Sequence, residues 1–334
     1  MTSSRLAVLG AGSWGTALAI ALAPRFDSAR LWARDPNRAI AIAQTRENSR
    51  YLPGFLLPST VEISSDFEFI LEDAAIVLCV IPSRHLRQVL RAAEPYLRPG
   101  MRLVSATKGI EEQTLCRMSQ VITQTFDASA HQFIAVLSGP TFAKEIAAGE
   151  PAAVVIASED ASLAGEIQSA FATPSLRFYA SCDVVGVELG AALKNVIAIG
   201  AGICRGLGLG SNSVAALITR GLAEITRLAV SMGGKPRTLS GLAGLGDLVL
   251  TATGDLSRNR SVGVQLGQGR KLDQILAGMN MVAEGVATCR AAQRLGLQQK
   301  VDLPIINAMY EVLYEFKDPR QAIRELMDRP LTSE

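Results

Sequence analysis

The chain has 334 residues, of which 49% are apolar and 19% charged, with a formal net charge of +2. At roughly 150 residues per domain this length suits two domains, each able to bury a core, and the composition excludes a disordered chain. With no run of Lys and Arg there is no basic field for nucleic acid, so small molecules are the expected partners.

The N-terminus passes straight into a strand at Arg5–Leu9, without the apolar segment and cleavage site of a signal peptide. That strand runs into Gly10-Ala11-Gly12-Ser13-Trp14-Gly15 and then an alanine-rich helix to about Ala23. Strand, G-x-G-x-x-G and helix in that order predict a dinucleotide site. Gly10 permits the tight turn, Gly12 lets backbone approach a pyrophosphate, and Gly15 lets helix and strand pack closely, while the helix N-terminus offers free N–H groups. The second strand, near Ala29 to Ala33, ends in Arg34-Asp35. An acid there suits the ribose 2′-hydroxyl of NAD and an arginine the 2′-phosphate of NADP. Arg34 is nearer the strand end, so NADPH is favoured, with NADH tolerated.

Helices near 36–47 and 83–96 alternate with strands near Val61, at Ala75–Ile81 and at Arg102–Ala106, a spacing that predicts βαβ units and a parallel sheet. Lys108 follows the last of these strands, where ligands of such sheets gather, and is a candidate for a cofactor or substrate anion as well as an ordinary loop lysine. A further strand, Phe133–Leu137, turns through Ser138-Gly139-Pro140-Thr141-Phe142-Ala143, small residues that suit close ligand approach or a simple helix cap at Thr141. Strands near Ala153–Ile156 and Leu176–Tyr179 complete this half. The boundary falls at 181, giving a Rossmann-like, mostly parallel α/β domain (1–181) and an all-α domain (182–334).

In the second half helices are predicted at Asp183–Cys204, Ser213–Met232, Ala283–Leu295, Ile305–Phe316 and Pro319–Asp328. Lys194 sits on a helical face with Val187, Gly190, Ala191, Ile197, Ala198 and Ala201, where a surface lysine would have polar neighbours. It is either a general base whose charge burial disfavours or a lysine that snorkels to water. Asp247 lies in a Gly/Leu setting, and Ser257-Arg258-Asn259-Arg260 reads as a helix start suited to an anion, or as a plain cap with solvated arginines. Glu284 opens another helix, as a cap or a ribose ligand. The cysteines, Cys79, Cys116, Cys182, Cys204 and Cys289, have no C-x-x-C spacing, which fits a reducing compartment. Histidine occurs only as His85 and His131, leaving little for a metal site. No uninterrupted apolar run reaches the ~20 residues of a membrane span.

The stretches GAGSWGTALA, ATKG, SGPTFAKE, ELGAALKNVIAIGAG, ALITRGLAE, GLGDLVLT, SRNR and VAEG, in this order along nearly the whole chain, resemble soluble bacterial NAD(P)-dependent sn-glycerol-3-phosphate dehydrogenase. The resemblance implies hydride transfer between NAD(P)H and dihydroxyacetone phosphate, giving sn-glycerol 3-phosphate for phospholipid synthesis, in a cytoplasmic homodimer. It implies Lys194 as proton acceptor and substrate ligand. It further implies Ser13, Trp14, Arg34, Lys108, Ala143, Arg258, Val282 and Glu284 at the cofactor, and Lys108, Gly139, Thr141, Asp247, Ser257, Arg258 and Asn259 at the substrate. Arg205 and Ser211 depart from the acids frequent in such sequences. A β-hydroxyacid dehydrogenase also uses a helix-borne lysine followed by asparagine, but SRNR and GLGDLVLT argue against it. A nucleotide sensor without turnover is the alternative outside enzymes.

Overall fold

The computed structural model describes residues 5–126, 133–279 and 282–331, so His131 lies outside the described residues. The chain divides into two compact units, Met1–Lys108 with Cys116–Glu188 and Gly109–Leu115 with Leu189–Glu334. The division at Glu188/Leu189 lies within a helix, seven residues beyond the change of pattern at 181, and the short segment after Lys108 belongs with the second unit.

The first unit is one eight-stranded sheet: β1 (Arg5–Leu9), β2 (Ser28–Trp32), β3 (Val61–Ser64), β4 (Ala74–Cys79), β5 (Arg102–Ser105), β6 (Ile134–Ser138), β7 (Ala152–Ala157) and β8 (Leu176–Ser181), in the order β3-β2-β1-β4-β5-β6-β7-β8. Every neighbouring pair is parallel except β6 with β7, as expected of a mostly parallel, doubly wound sheet. Its central strands are nearly continuous apolar runs because both faces are covered. Leu6, Val8, Leu31, Leu78 and Val104 pack on one face with Leu18 and Leu22 of α1 (Ser13–Leu22). Ala7, Leu9, Val77, Cys79 and Leu103 pack on the other. The helices on that second side are α3 (Phe67–Leu71), α4 (Leu86–Ala93) and α5 (Met118–Thr125). The remaining helices of this unit are α2 (Pro36–Thr45), α6 (Ala143–Ala147), which packs on α1, and α7 (Ala161–Phe171). The single helix expected over 83–96 is broken into 3₁₀ turns at both ends, the second carrying Pro95, whose ring and missing N–H end the α-helix.

The second unit is helical, in agreement with the pattern. Its axis is α8 (Val184–Gly206), which has the length and composition of a membrane span, yet 94% of its apolar window is buried within the protein. Around it lie α9 (Ser211–Ser231), α10 (Pro236–Leu239), a π-helical turn at Leu242–Gly246, α11 (Asp247–Thr253), α12 (Arg258–Gly267), α13 (Leu272–Ala277), α14 (Glu284–Gln299), α15 (Pro304–Tyr314) and α16 (Pro319–Met327). Helices α10, α11 and α13 lie where the periodicity is too short to read, whereas α12 begins at the SRNR cap that the sequence predicts. Glycines let α8 and α12 touch backbone to backbone. A Cβ on Gly202 would lie 2.0 Å from the Arg260 carbonyl oxygen, and one on Gly263 would lie 1.9 Å from that of Ile199. This contact sets α12, and with it the SRNR cap, beside the middle of α8.

Candidate active site

In the first unit the glycine turn has the shape a dinucleotide needs. Gly10 has φ +124°, and a Cβ there would lie 2.4 Å from the Val80 carbonyl oxygen; one on Gly15 would lie 1.9 Å from that of Gly10. A Cβ on Gly12 would meet nothing within 4 Å, so its room is left for a ligand. No side chain caps α1, which leaves its first N–H groups for an anion. The buried Trp14 Nε1 has no hydrogen-bond partner among the described residues. The nucleotide therefore fits this turn. Ser13 Oγ donates to the Tyr51 carbonyl at 2.6 Å, tying the turn to the loop after α2.

At the end of β2 the two rival readers part company. Asp35 is the N-cap of α2, its Oδ1 accepting from the Asn37 and Arg38 backbone N–H groups at 3.0 and 3.4 Å. Arg34 is exposed and, among the described residues, has no ion pair. At the ends of β5 and β6, Lys108 Nζ donates to the Gly139 carbonyl at 3.4 Å. Gly139 has φ +153°, and a Cβ there would press on the Val154 backbone at 2.9 Å. Thr141 is not a cap: its hydroxyl donates to the Gly139 carbonyl at 3.2 Å, and Phe142 precedes α6, which begins at Ala143. The structure thus brings Lys108, Gly139 and Thr141 together.

In the second unit Lys194 is only 4% exposed and does not snorkel; Asp247 is wholly buried. The Lys194 ammonium pairs with Asp247 Oδ1 and donates to Thr251 Oγ1 at 2.8 Å, and the Thr251 hydroxyl in turn donates to the Asp247 carbonyl at 2.6 Å. A buried charge needs such a partner. The local fold supplies it. Gly190, one turn before Lys194, has no side chain, and a Cβ there would lie 2.5 Å from the Ala243 carbonyl oxygen. The π-helical turn therefore seats directly on α8, and α11 starts from it with Asp247 and Thr251 one turn apart, both facing the lysine. Single π-turns recur at functional sites.

The next residue on α8, Asn195, forms a second buried group. Asn259 Nδ2 donates to Asn195 Oδ1 at 3.0 Å, and the Gly285 backbone N–H donates to Asn259 Oδ1 at 2.9 Å. Ser257 Oγ accepts from the Arg260 N–H at 3.2 Å and so caps α12. The first N–H groups of α12 remain available for an anion. Arg260 is held by Asp255 at 2.7 Å, which leaves Arg258 as the guanidinium of this cap. Arg258 Nη1 donates to the Val282 carbonyl at 3.1 Å, and the Glu284 carboxylate acts on its charge. Arg258 thus clusters with Val282, 24 residues on, and with Glu284. Thr251, Asn195 and Gly285 join the site without a clear signal in the sequence, beyond a threonine four residues after Asp247 and an asparagine beside Lys194. Two grooves, of about 350 Å³ lined by Pro36, Ile40 and Ser65 and about 500 Å³ lined by Arg227, Lys300 and Asp302, hold none of the predicted site residues.

Comparison with known proteins shows the family of the chain. Residues 5–164 match the NAD-dependent glycerol-3-phosphate dehydrogenase N-terminus, and residues 183–324 match the C-terminus of the same family. The NAD(P)+ glycerol-3-phosphate dehydrogenase of Koribacter versatilis is 54% identical over 333 residues, covering 99% of both chains. That of Geobacter sulfurreducens is 51% identical over 332 residues, again covering 99% of both. The crystal structure of glycerol-3-phosphate dehydrogenase from Coxiella burnetii superposes with a TM-score of 0.92 at 37% identity, covering 98% of this chain and 99% of that one. A ketopantoate reductase from Ralstonia eutropha, 18% identical with a TM-score of 0.63 over 95% of this chain and 99% of its own, shares the fold alone. With both halves matched and the lysine, carboxylate and helix cap in place, the chain belongs to the NAD-dependent glycerol-3-phosphate dehydrogenase family.

Proposed function

We propose that this chain catalyses reversible hydride transfer between NAD(P)H and dihydroxyacetone phosphate, giving sn-glycerol 3-phosphate, with Lys194 handling the proton on the C2 oxygen. The observation that carries this reading is the buried Lys194 amine held by Asp247 and Thr251. When bound, the nicotinamide supplies or takes up the hydride. In reduction the Lys194 ammonium protonates the oxygen that gains charge at C2, and in oxidation the neutral amine takes the hydroxyl proton. Asp247 and Thr251 fix the amine in place, so little motion is needed at the moment of transfer. The cap of α12, with Arg258 and the first N–H groups of the helix, binds the substrate phosphate. Asn259, held by Asn195 and Gly285, orients that cap. Lys108, Gly139 and Thr141 add substrate contacts. The Gly10–Gly15 turn binds the pyrophosphate, Arg34 the 2′-phosphate of NADPH, and Ser13, Trp14, Ala143, Val282 and Glu284 complete the cofactor contacts.

The product supplies glycerophospholipid synthesis. None of the five cysteines is in a disulfide, which supports a cytoplasmic location, and a homodimer is the proposed assembly. The test is oxidation of NADPH and NADH, read by the reduced-nicotinamide absorbance, with dihydroxyacetone phosphate and with small β-keto acids. Rapid oxidation with the phosphate alone is expected. Preference for the carboxylates makes the chain a hydroxyacid dehydrogenase, and NADPH binding without turnover makes it a sensor; either outcome overturns the proposal.

A further inference from the structure

Strands β2 and β4 both pair with β1. Their carboxyl ends therefore flank the glycine turn on its two sides, about 10 Å apart at a strand spacing of ~4.8 Å. Each end carries a guanidinium. Arg34 follows β2; Arg84 lies in the 3₁₀ turn Ser83–His85 that follows β4. Both are exposed, and among the described residues neither is paired with a carboxylate. Arg84 Nε donates to His85 Nε2 at 3.1 Å. This makes His85 a neutral imidazole with its proton on Nδ1, and leaves the two terminal amino groups of Arg84 for another acceptor.

The pair is also joined electrically. The His85 pKa is lowered below its usual 6.5 by burial first, and then by the charges of Arg84 and Arg34, so both guanidiniums act on this ring. On the same rim the acid that would read a ribose hydroxyl is committed elsewhere. Asp35 caps α2 and lies 3.9 Å from Arg38, whose guanidinium is in turn over the Tyr51 ring. Two guanidiniums that, among the described residues, pair with no carboxylate suit a dianion and give a neutral ribose little.

We propose that Arg84, steadied by His85 at the end of β4, is a second guanidinium for the 2′-phosphate of NADPH, acting with Arg34 at the end of β2, and that this pair sets preference for NADPH over NADH. The inference rests on the proposed nucleotide site at the Gly10–Gly15 turn. It concerns nucleotide choice and not the reaction.

The experiment is direct titration of the full chain with NADPH and with NADH, by calorimetry or Trp14 quenching, for wild type, Arg84→Ala, Arg84→Lys and His85→Ala. Removing one charged contact to a phosphate is expected to weaken NADPH roughly tenfold or more while NADH changes less than about twofold. Arg84→Lys keeps the charge but loses the fork and falls between. His85→Ala frees the Arg84 side chain and costs NADPH a smaller factor, again sparing NADH. If Arg84→Ala leaves NADPH affinity unchanged, or weakens both nucleotides alike, the proposal is wrong. Failure of wild type to reduce dihydroxyacetone phosphate while the NADPH-selective loss persists sinks the proposed reaction and leaves this inference standing.

Discussion

Replacing Asp247 by Asn tests the centre of the second unit, because it keeps the shape of the side chain and removes the carboxylate paired with Lys194. Asp247 is fully buried and Lys194 is 4% exposed, so water cannot take over the role of the carboxylate. Removing one member of a buried ion pair commonly costs about 3–5 kcal/mol, mostly the expense of the charge left behind. Thr251 still accepts from the amine at 2.8 Å, a hydrogen bond to a charged group that retains about 1.5–3 kcal/mol. That bond is present in both proteins and offsets none of the loss, so the expected cost is about 3–5 kcal/mol. Activity should fall by a factor of about 10²–10⁴, the usual contribution of a positioned acid or base. Denaturant unfolding of wild type, Asp247→Asn, Lys194→Met and the double variant measures the pair, and NADPH oxidation measures the catalysis. The cycle should give a coupling energy of at least ~1.5 kcal/mol, with the double variant more stable than Asp247→Asn alone. Additive effects within ~0.5 kcal/mol, or an Asp247→Asn enzyme as active as wild type, would refute the assignment.

Three further outcomes follow from other parts of the structure. Gly12→Ala should leave the melting temperature unchanged, since a Cβ there meets no protein atom within 4 Å, yet abolish measurable NADPH binding; retained affinity in a titration would contradict the placement of the nucleotide. Gly190→Ala puts a Cβ 2.5 Å from the Ala243 carbonyl and should cost about 1–3 kcal/mol by overpacking while lowering kcat as the π-turn lifts Asp247 and Thr251 from Lys194; an unchanged kcat would show that the seat of this turn on α8 is dispensable. The third concerns Glu224 on α9, 1% exposed, which accepts from the backbone N–H groups of Ile305 and Ile306 at 2.6 and 3.1 Å and caps α15. Burial pushes its carboxyl up to about 7 from 4.5, against the opposing pull of those two hydrogen bonds. With the folded pKa above the unfolded one, the unfolded chain binds fewer protons between these values, so stability falls as pH rises from 4.5 to about 7, by about 3 kcal/mol in all. Glu224→Gln should lack this slope, and parallel stability curves for the two proteins across that range would rule the titration out.

The parts of the molecule visible in the sequence are those governed by short-range rules. Gly10, Gly12 and Gly15 stand within six residues of one another, and the strand before them and helix after them are set by local pattern, so the nucleotide turn could be read directly. Arg34-Asp35 offers a reader for either nucleotide, and that Asp35 caps α2 depends on where the α2 backbone lies, which no local pattern shows. Lys194 stood out as a charge on an apolar face, but its neutraliser is 53 residues away and reaches it through a π-turn that no periodicity signals. The glycines at 190, 202 and 263 look like ordinary helix-weakening residues; their purpose lies in backbones that approach from elsewhere in the chain. Likewise the residues from Gly109 to Leu115 read as a loop of the first unit, yet Glu112 bonds through its side chain to Arg290 and through its carbonyl to Arg294, each at 2.7 Å, and places them with the second.

The central claim is that the Lys194 amine moves the proton at the substrate's C2 oxygen, and it is tested most directly with Lys194→Ala. NADPH affinity is measured by titration, and NADPH oxidation by dihydroxyacetone phosphate is followed with and without added small primary amines. NADPH affinity should be unchanged, kcat should fall by at least about 10²–10⁴, and partial recovery should scale with the concentration of the free amine. A variant that binds NADPH and turns over within tenfold of wild type without added amine would contradict the claim.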